Sequence, residues 1–391
     1  MGLIRMEHME RKNSINILFI ADPNSLHNRK WMRHFGQNSA RFRVFLCCET
    51  QETPSEAVQR ELLEEGITFL TALQPFSIRT PFRNLAAYDR FKRLTQQWSI
   101  DCVHVLFATP YALWLRNYTG KCVISTRGSD ILQVIPSLTI QKGIKKGYYA
   151  YLFTLFYRSF YRASLITSTS HQQADAVHHW FKKRATCIRT GVDVAYIKEI
   201  DPNYPVQVTD RFNVFSPRFM QTLYDILFQV EALEHMEAEE LTKIHFLCIQ
   251  GKKMDADYWN RVELRLKKLE EKGLLWHVLS YLEQDAMFRA LKAADLVIMT
   301  PKSDGTPNSA LECMAAGTPL IISDLPYDPE LFEGTCLKVT NRTPAFLANL
   351  IRSVMQGKYP DGMLEKASEQ VAAFGNRALE MHKLEELIYP K

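Results

Sequence analysis

Residues Ser303 to Gly317, SDGTPNSALECMAAG, join two carboxylates to the start of a helix. Thr306 is expected as the N-cap and Pro307 as the first helical residue, where a missing N–H costs nothing. The amides of Asn308 and Ser309 then point out of the helix end. Free N–H groups and the helix dipole favour negative charge, so this end suits a diphosphate without any lysine. Asp304 lies in the loop before the cap, next to Gly305, and Glu312 lies about one and a half turns further on. Both acids would repel an anion if they touched it. They accept well from sugar hydroxyls instead. A nucleoside-diphosphate sugar has a ribose on one side of its phosphates and a hexose on the other, which matches two acids astride a phosphate seat.

The surrounding elements supply a carrier for such a seat. In the first half, apolar runs at Asn16–Ala21, Phe42–Cys48, Ile67–Leu70, Cys102–Phe107, Cys122–Thr126, Leu165–Ser168 and Thr186–Arg189 are expected as strands. Helices are expected between them at 26–35, 55–65, 84–98 and 170–181. After the loop Ile200–Pro205, with its two prolines, the alternation restarts. Its strands are expected at 213–216, 244–249, 278–281, 296–300 and 318–323. Strands alternating with helices predict parallel, doubly wound sheets. The expected class is α/β, with two Rossmann-like domains, 1–200 and 201–391, facing across a cleft, and a last helix that crosses back. Ligands of such sheets bind outside the carboxyl ends of the strands, and the opening motif begins just past one of them.

Composition narrows the class. The chain has 391 residues, 46% apolar and 23% charged, which fits a globular protein of two domains. The start, MGLIRMEHMERKNSIN, has no apolar leader core, and the longest apolar run, Tyr148–Tyr157, is too short to span a bilayer. A cytoplasmic location is expected, with peripheral contact at the inner face of the membrane. The eight cysteines form no C-x-x-C pair, and no histidine cluster has zinc-ligand spacing, so no metal site is expected. Residues 1–200 hold 27 Lys and Arg against 15 Asp and Glu, a net +12; the remainder is −7. The first half therefore faces something anionic, or the two halves attract each other. The basic residues are scattered and no nucleic-acid motif is present.

The segment S-D-G-T-P-N-S-A-L-E-C-M-A-A-G-T-P-L-I-I-S-D resembles the signature of retaining glycosyltransferases of family 4, which have the GT-B fold. Ser125-Thr-Arg-Gly-Ser-Asp130 is similar to that family's H-G-x-D segment, with Arg127 in place of the histidine. Ser168–His171 and Arg189–Asp193 resemble the segments before the joint, and Ser216-Pro-Arg218 resembles the arginine segment after the first C-domain strand. The loop Asp22-Pro-Asn-Ser-Leu-His27 lacks the family's glycine pair and resembles a D-P-x-x-x-H-x-x-R-W variant, completed by Arg29-Lys30 and Trp31. The family's lysine a few residues after the arginine is absent, and Leu223 stands there.

The resemblance implies that Arg218 binds the diphosphate, Glu312 the ribose and Asp304 the transferred sugar. It places Tyr281 and Leu282 beside the base, and Arg127 and Asp130 towards the sugar and acceptor; His27, in the variant loop, is a further catalytic candidate, or a polar side chain at a helix start. It implies a metal-independent hexosyl transfer with retention and no cofactor, the nucleotide sugar being a co-substrate. The acceptor is expected to be a glycan or a lipid-linked or growing surface polysaccharide. The segment Ile140–Arg162 carries seven Tyr or Phe within Tyr148–Phe160 among lysines and arginines. It is either a buried helix with charged ends or an interfacial helix on anionic lipid. Two alternatives to transfer stand beside it: a GT-B nucleotide-sugar epimerase, and a non-catalytic nucleotide-sugar-binding partner.

Overall fold

The computed structural model describes residues 14–77, 81–143, 145–251 and 255–389, without the side chains of Pro81 and Lys145. The stretch 1–13 assessed for a leader, and Ile144 with the Lys145 side chain, lie outside these. The chain divides into two compact units: Met1–Thr190 with Met381–Lys391, and Gly191–Glu380.

The first unit is built on strands β1 (Ile15–Ile20), β2 (Phe42–Glu49), β3 (Ile67–Leu73), β4 (Cys102–Leu106), β5 (Lys121–Ser125), β6 (Leu165–Ser168) and β7 (Thr186–Cys187). They form one sheet in the order β3-β2-β1-β4-β5-β6-β7, every pairing parallel. β4 and most of β1, β2, β5 and β6 are buried on both faces, which is why they read as apolar runs, whereas the edge strands β3 and β7 are largely half-buried. Leu18 and Ile20 join Val103, Val105 and Ile124 in one cluster, while Ile17 and Phe19 join Val44, Leu46 and Val123 in another. The C-terminal Met381, Leu384 and Ile388 complete the second cluster.

The second unit carries β8 (Phe212–Phe219), β9 (Ile244–Ile249), β10 (Leu275–Leu279), β11 (Leu296–Met299), β12 (Leu320–Ser323) and β13 (Leu337–Val339). Their order is β10-β9-β8-β11-β12-β13, again all parallel. Each unit is thus a doubly wound, Rossmann-like sheet. Residues 191–200 pack with the second unit. Val192 N–H donates to Gly375 at 2.8 Å, and Val194, Ile197 and Ile200 enter its core. Gly191 (φ +66°) is needed at this joint, because a Cβ there would lie 2.7 Å from the Arg377 backbone.

No two cysteines are bonded, and all but Cys187 are buried, several in strands. The aromatic segment is a helix only from Lys145 to Arg162, preceded by a short separate helix, Ile135–Thr139. Its Leu155, Phe156 and Phe160 are buried, with Phe160 stacked on Phe181 at 3.9 Å, while Tyr148, Tyr151, Tyr157 and Tyr161 are exposed. Among the described residues, no helix is long and apolar enough to cross a membrane.

Candidate active site

In the second unit the strand order reverses between β8 and β11. The parallel neighbours of a doubly wound sheet part company at such a point, and their following loops leave a crevice. β8 pairs regularly with β9 up to Ser216, and the register then shifts before Phe219. Pro217 has no N–H to give to a ladder, so the irregularity falls there. Arg218 follows it. Its Nη1 donates to Ser309 Oγ at 2.9 Å, and its Nη2 lies 3.0 Å from Asp304 Oδ2. The guanidinium sits over the Tyr224 ring at 4.1 Å. The side chains of Arg218 and Asp304 are 16% and 19% exposed, so this ion pair is shielded from bulk water.

Asp304 Oδ1 accepts from the Gly305 N–H at 2.9 Å, which folds the loop back before the helix. The helix runs Asn308–Ala316 and its cap is Pro307, not Thr306. The Thr306 hydroxyl instead points at Asp328, 3.5 Å away. Pro307 has no N–H to satisfy, and its carbonyl accepts from Ala310 at 3.0 Å, so the helix starts one residue later than expected. The helix buries Ala310, Leu311, Cys313, Met314 and Ala315, leaving Asn308, Ser309 and Glu312 half-buried on the other side. Gly317, left-handed at φ +76°, closes it.

Around this start lie Lys302, Asp225, Arg342 and Tyr327, which sequence reasoning did not single out. Leu223, standing where the family's lysine was expected, accepts from the Lys302 N–H at 2.9 Å. The Lys302 ammonium is half-exposed and 3.6 Å from Asp225, which also holds Arg342 at 2.8 Å. Asp225 itself is left-handed, at φ +52°. Tyr327 is buried, and burial first and the Asp304 charge second push its phenol up. Tyr281 and Leu282 fall in the loop after β10, which ends at Leu279 rather than 281. The Tyr281 ring lies 6.5 Å from that of Phe219. Phe219 in turn lies against Gly251 (φ +81°), where a Cβ would come within 2.6 Å of the ring.

In the first unit the reversal lies between β1 and β4. His27 is exposed at the start of the helix Leu26–Gln37, and Arg29 turns away to Glu61 and Glu65, at 2.8 and 2.6 Å. Trp31 is fully buried, and the Arg127 guanidinium lies over it at 4.0 Å. Asp130 is buried too. Its carboxylate accepts from the amides of Ala108, Arg127, Gly128 and Ile131 at 2.7–3.2 Å, so it organises the turn after β5. Beneath lies His104, with Nε2 at 2.7 Å from Ser125 Oγ. Burial first, and the Arg127 charge second, pull its ring down to about 3, so it is neutral. Arg218, Asp304, Ser309 and the helix start are therefore assembled in one unit; Arg127, Asp130 and His27 belong to the other.

Residues 16–170 match a glycosyl transferase 4-like domain, and residues 214–356 match glycosyl transferases group 1. No curated protein matches the chain in sequence. Among solved structures, a glycosyltransferase from Rickettsia africae is similar at a TM-score of 0.74 and 15% identity, over 97% of this chain and 100% of the other. HepE of Anabaena in complex with UDP is similar at 0.72 and 15%, over 95% and 99%. The sucrose-phosphate synthase of Thermosynechococcus elongatus is similar at 0.67 and 15%, over 95% and 98%. With a glycosyl transferase 4-like domain in its first unit and a group 1 domain in its second, the chain is a glycosyltransferase of the GT-B type.

Proposed function

We propose that the protein moves a hexosyl group from a uridine-diphosphate sugar to a hydroxyl of an acceptor, with retention at the anomeric carbon. The observation that carries this reading is Arg218, joined to both Asp304 and Ser309 at the start of the helix Asn308–Ala316. One cation and a row of helix-start amides meet there, a seat for a diphosphate whose charge grows as it departs. UDP is the base-bearing half by analogy with HepE, whose structures include complexes with UDP and with UDP-glucose. Asp304 and Glu312 would take hydroxyls of the sugar and of the ribose, and Tyr281 and Leu282 would border the base.

The bond from the anomeric carbon to the diphosphate breaks, and the bond to the acceptor oxygen forms on the same face. The acceptor's proton passes to the departing diphosphate, so no protein base is required. Arg218 and the helix end supply the charge that a metal supplies elsewhere, and we expect EDTA to leave turnover unchanged. Incubation with UDP-sugars and an acceptor pool, with NMR of the product's anomeric proton, tests the reading. Free sugar or an epimer as the only product, or an inverted linkage, sinks it.

The acceptor we propose is lipid-linked or a growing surface polysaccharide, reached by peripheral contact with anionic membrane. Support comes from the exposed tyrosines of the helix Lys145–Arg162, beside exposed Lys142, Lys146, Arg158 and Arg162. Phe82 and Leu85, 81% and 64% exposed on the helix Pro81–Gln97, add apolar surface to the same unit. Flotation with anionic vesicles, but not with neutral ones, is the expected result; a protein that ignores both contradicts it.

A further inference from the structure

Arg127 carries a charge that no side chain touching it neutralises. Its Nη1 donates to Thr190 Oγ1 at 2.8 Å, and the Trp31 ring covers one face at 4.0 Å. Nε and Nη2 are shut off from solvent and have no hydrogen-bond partner. Asp130 acts on the guanidinium through space, but its oxygens are spent on four backbone amides. Burial pulls the guanidinium down to about 9, which leaves it a cation at neutral pH. A shielded cation with unmet donors is costly to the fold, and an apolar side chain of similar volume would avoid that cost.

The two unmet donors are not a random pair. Nε–H and Nη2–H lie parallel along one edge of the guanidinium, the side-on fork that matches two oxygens of a carboxylate or phosphate. Stacking on Trp31 and the bond to Thr190 fix the plane and one end of the group, so the fork is preorganised. Its position also fits a ligand. Arg127 follows β5, Trp31 belongs to the helix after β1, and β4 runs between those strands. The pair thus bridges the point where the strand order of the first unit reverses, where such sheets bind ligands.

We propose that the Nε/Nη2 edge of Arg127 seats an oxyanion, and that this oxyanion, a phosphate or a carboxylate, is carried by the acceptor. The second clause rests on the glycosyl-transfer reading; the first does not.

Inorganic phosphate and acetate, titrated calorimetrically into the full-length protein saturated with UDP, test the proposal. The same titrations are run on Arg127→Lys and Arg127→Gln. Arg218→Ala without UDP serves as a second background, in which the phosphate seat of the other unit is disabled. Wild type is expected to bind one of the two anions, phosphate over acetate if the acceptor is phosphorylated and the reverse if it is acidic. Arg127→Lys should lose about tenfold or more in that affinity, because an ammonium keeps the charge but lacks the fork. UDP affinity should not change. Anion binding that is absent from wild type, or equal in wild type and Arg127→Lys, overturns the proposal. So does a loss in Arg127→Lys that falls on UDP rather than on the added anion. Failure of wild type to bind UDP would defeat the donor reading alone, since the Arg218→Ala titration still reports on Arg127.

Discussion

Arg218 meets three different chemistries at once: a carboxylate, a hydroxyl and an aromatic face. Those partners hold its fork before any ligand arrives, so little side-chain entropy remains to be lost when a diphosphate binds. Arg218→Ala is expected to lower kcat about 100- to 1000-fold, ~3–4 kcal/mol, the scale of a lost oxyanion donor. Steady-state kinetics at saturating donor check this, and near-normal turnover refutes the assignment. His104 gives a second residue-scale prediction. Its ring titrates near 3 when folded and at the ordinary value of 6.5 when unfolded. Between those values the unfolded chain binds the extra proton. The stability His104 contributes is therefore fully present above pH 6.5 and falls by about 1.4 kcal/mol per unit as the pH drops towards 3. His104→Gln should flatten that slope in urea denaturation, and an unchanged slope would contradict the neutral, buried ring.

At the scale of elements, the helix Leu26–Gln37 is held at its end by a backbone contact that only glycines allow. A Cβ on Gly36 would lie 2.3 Å from the Glu65 carbonyl oxygen, and one on Gly66 would lie 2.4 Å from the Gly36 carbonyl oxygen. Backbone cannot yield as a flexible side chain does. Gly36→Ala should cost about 1–3 kcal/mol by denaturant titration, and it should shift Trp31 from beneath Arg127. In the second unit, the loop before the helix Asn308–Ala316 carries Lys302 to the side of Leu223. We expect Lys302→Ala to weaken UDP binding about tenfold, ~1.4 kcal/mol, and Leu223→Lys to restore it in that background. Calorimetry decides, and equal affinities would leave Lys302 as a surface charge.

The whole molecule is two cores rather than one. Each sheet has its own apolar clusters, and the C-terminal segment from Met381 belongs to the first unit, tied there by Arg41 to Glu385 and to the Tyr389 carbonyl. Scanning calorimetry should therefore resolve two transitions. UDP at ~100 times its dissociation constant should stabilise one of them by about 2.7 kcal/mol. Leu384→Ala should lower the other by about 2–5 kcal/mol, because Leu384 is fully buried against β-strand residues of the first unit. A single transition moved by both changes would mean that the units unfold together.

Much of this architecture could be seen in the amino-acid order alone. Strands buried on both faces appear as short apolar runs, and glycines and prolines mark where they stop, so most strands and the loop-to-helix motif at 303–317 were legible. β13 was not, because three residues carry no period. The cap also moved from Thr306 to Pro307, since the threonine hydroxyl had a distant acid to turn to. What sequence could not supply is who meets whom. Arg218 and Ser309 are 91 positions apart, and Arg127 and Thr190 are 63 apart. Tyr224 under one arginine and Trp31 under the other are likewise products of the fold. Local propensity and hydrophobic period act over a few residues, whereas a site is made by strands that lie side by side in an order the chain does not follow.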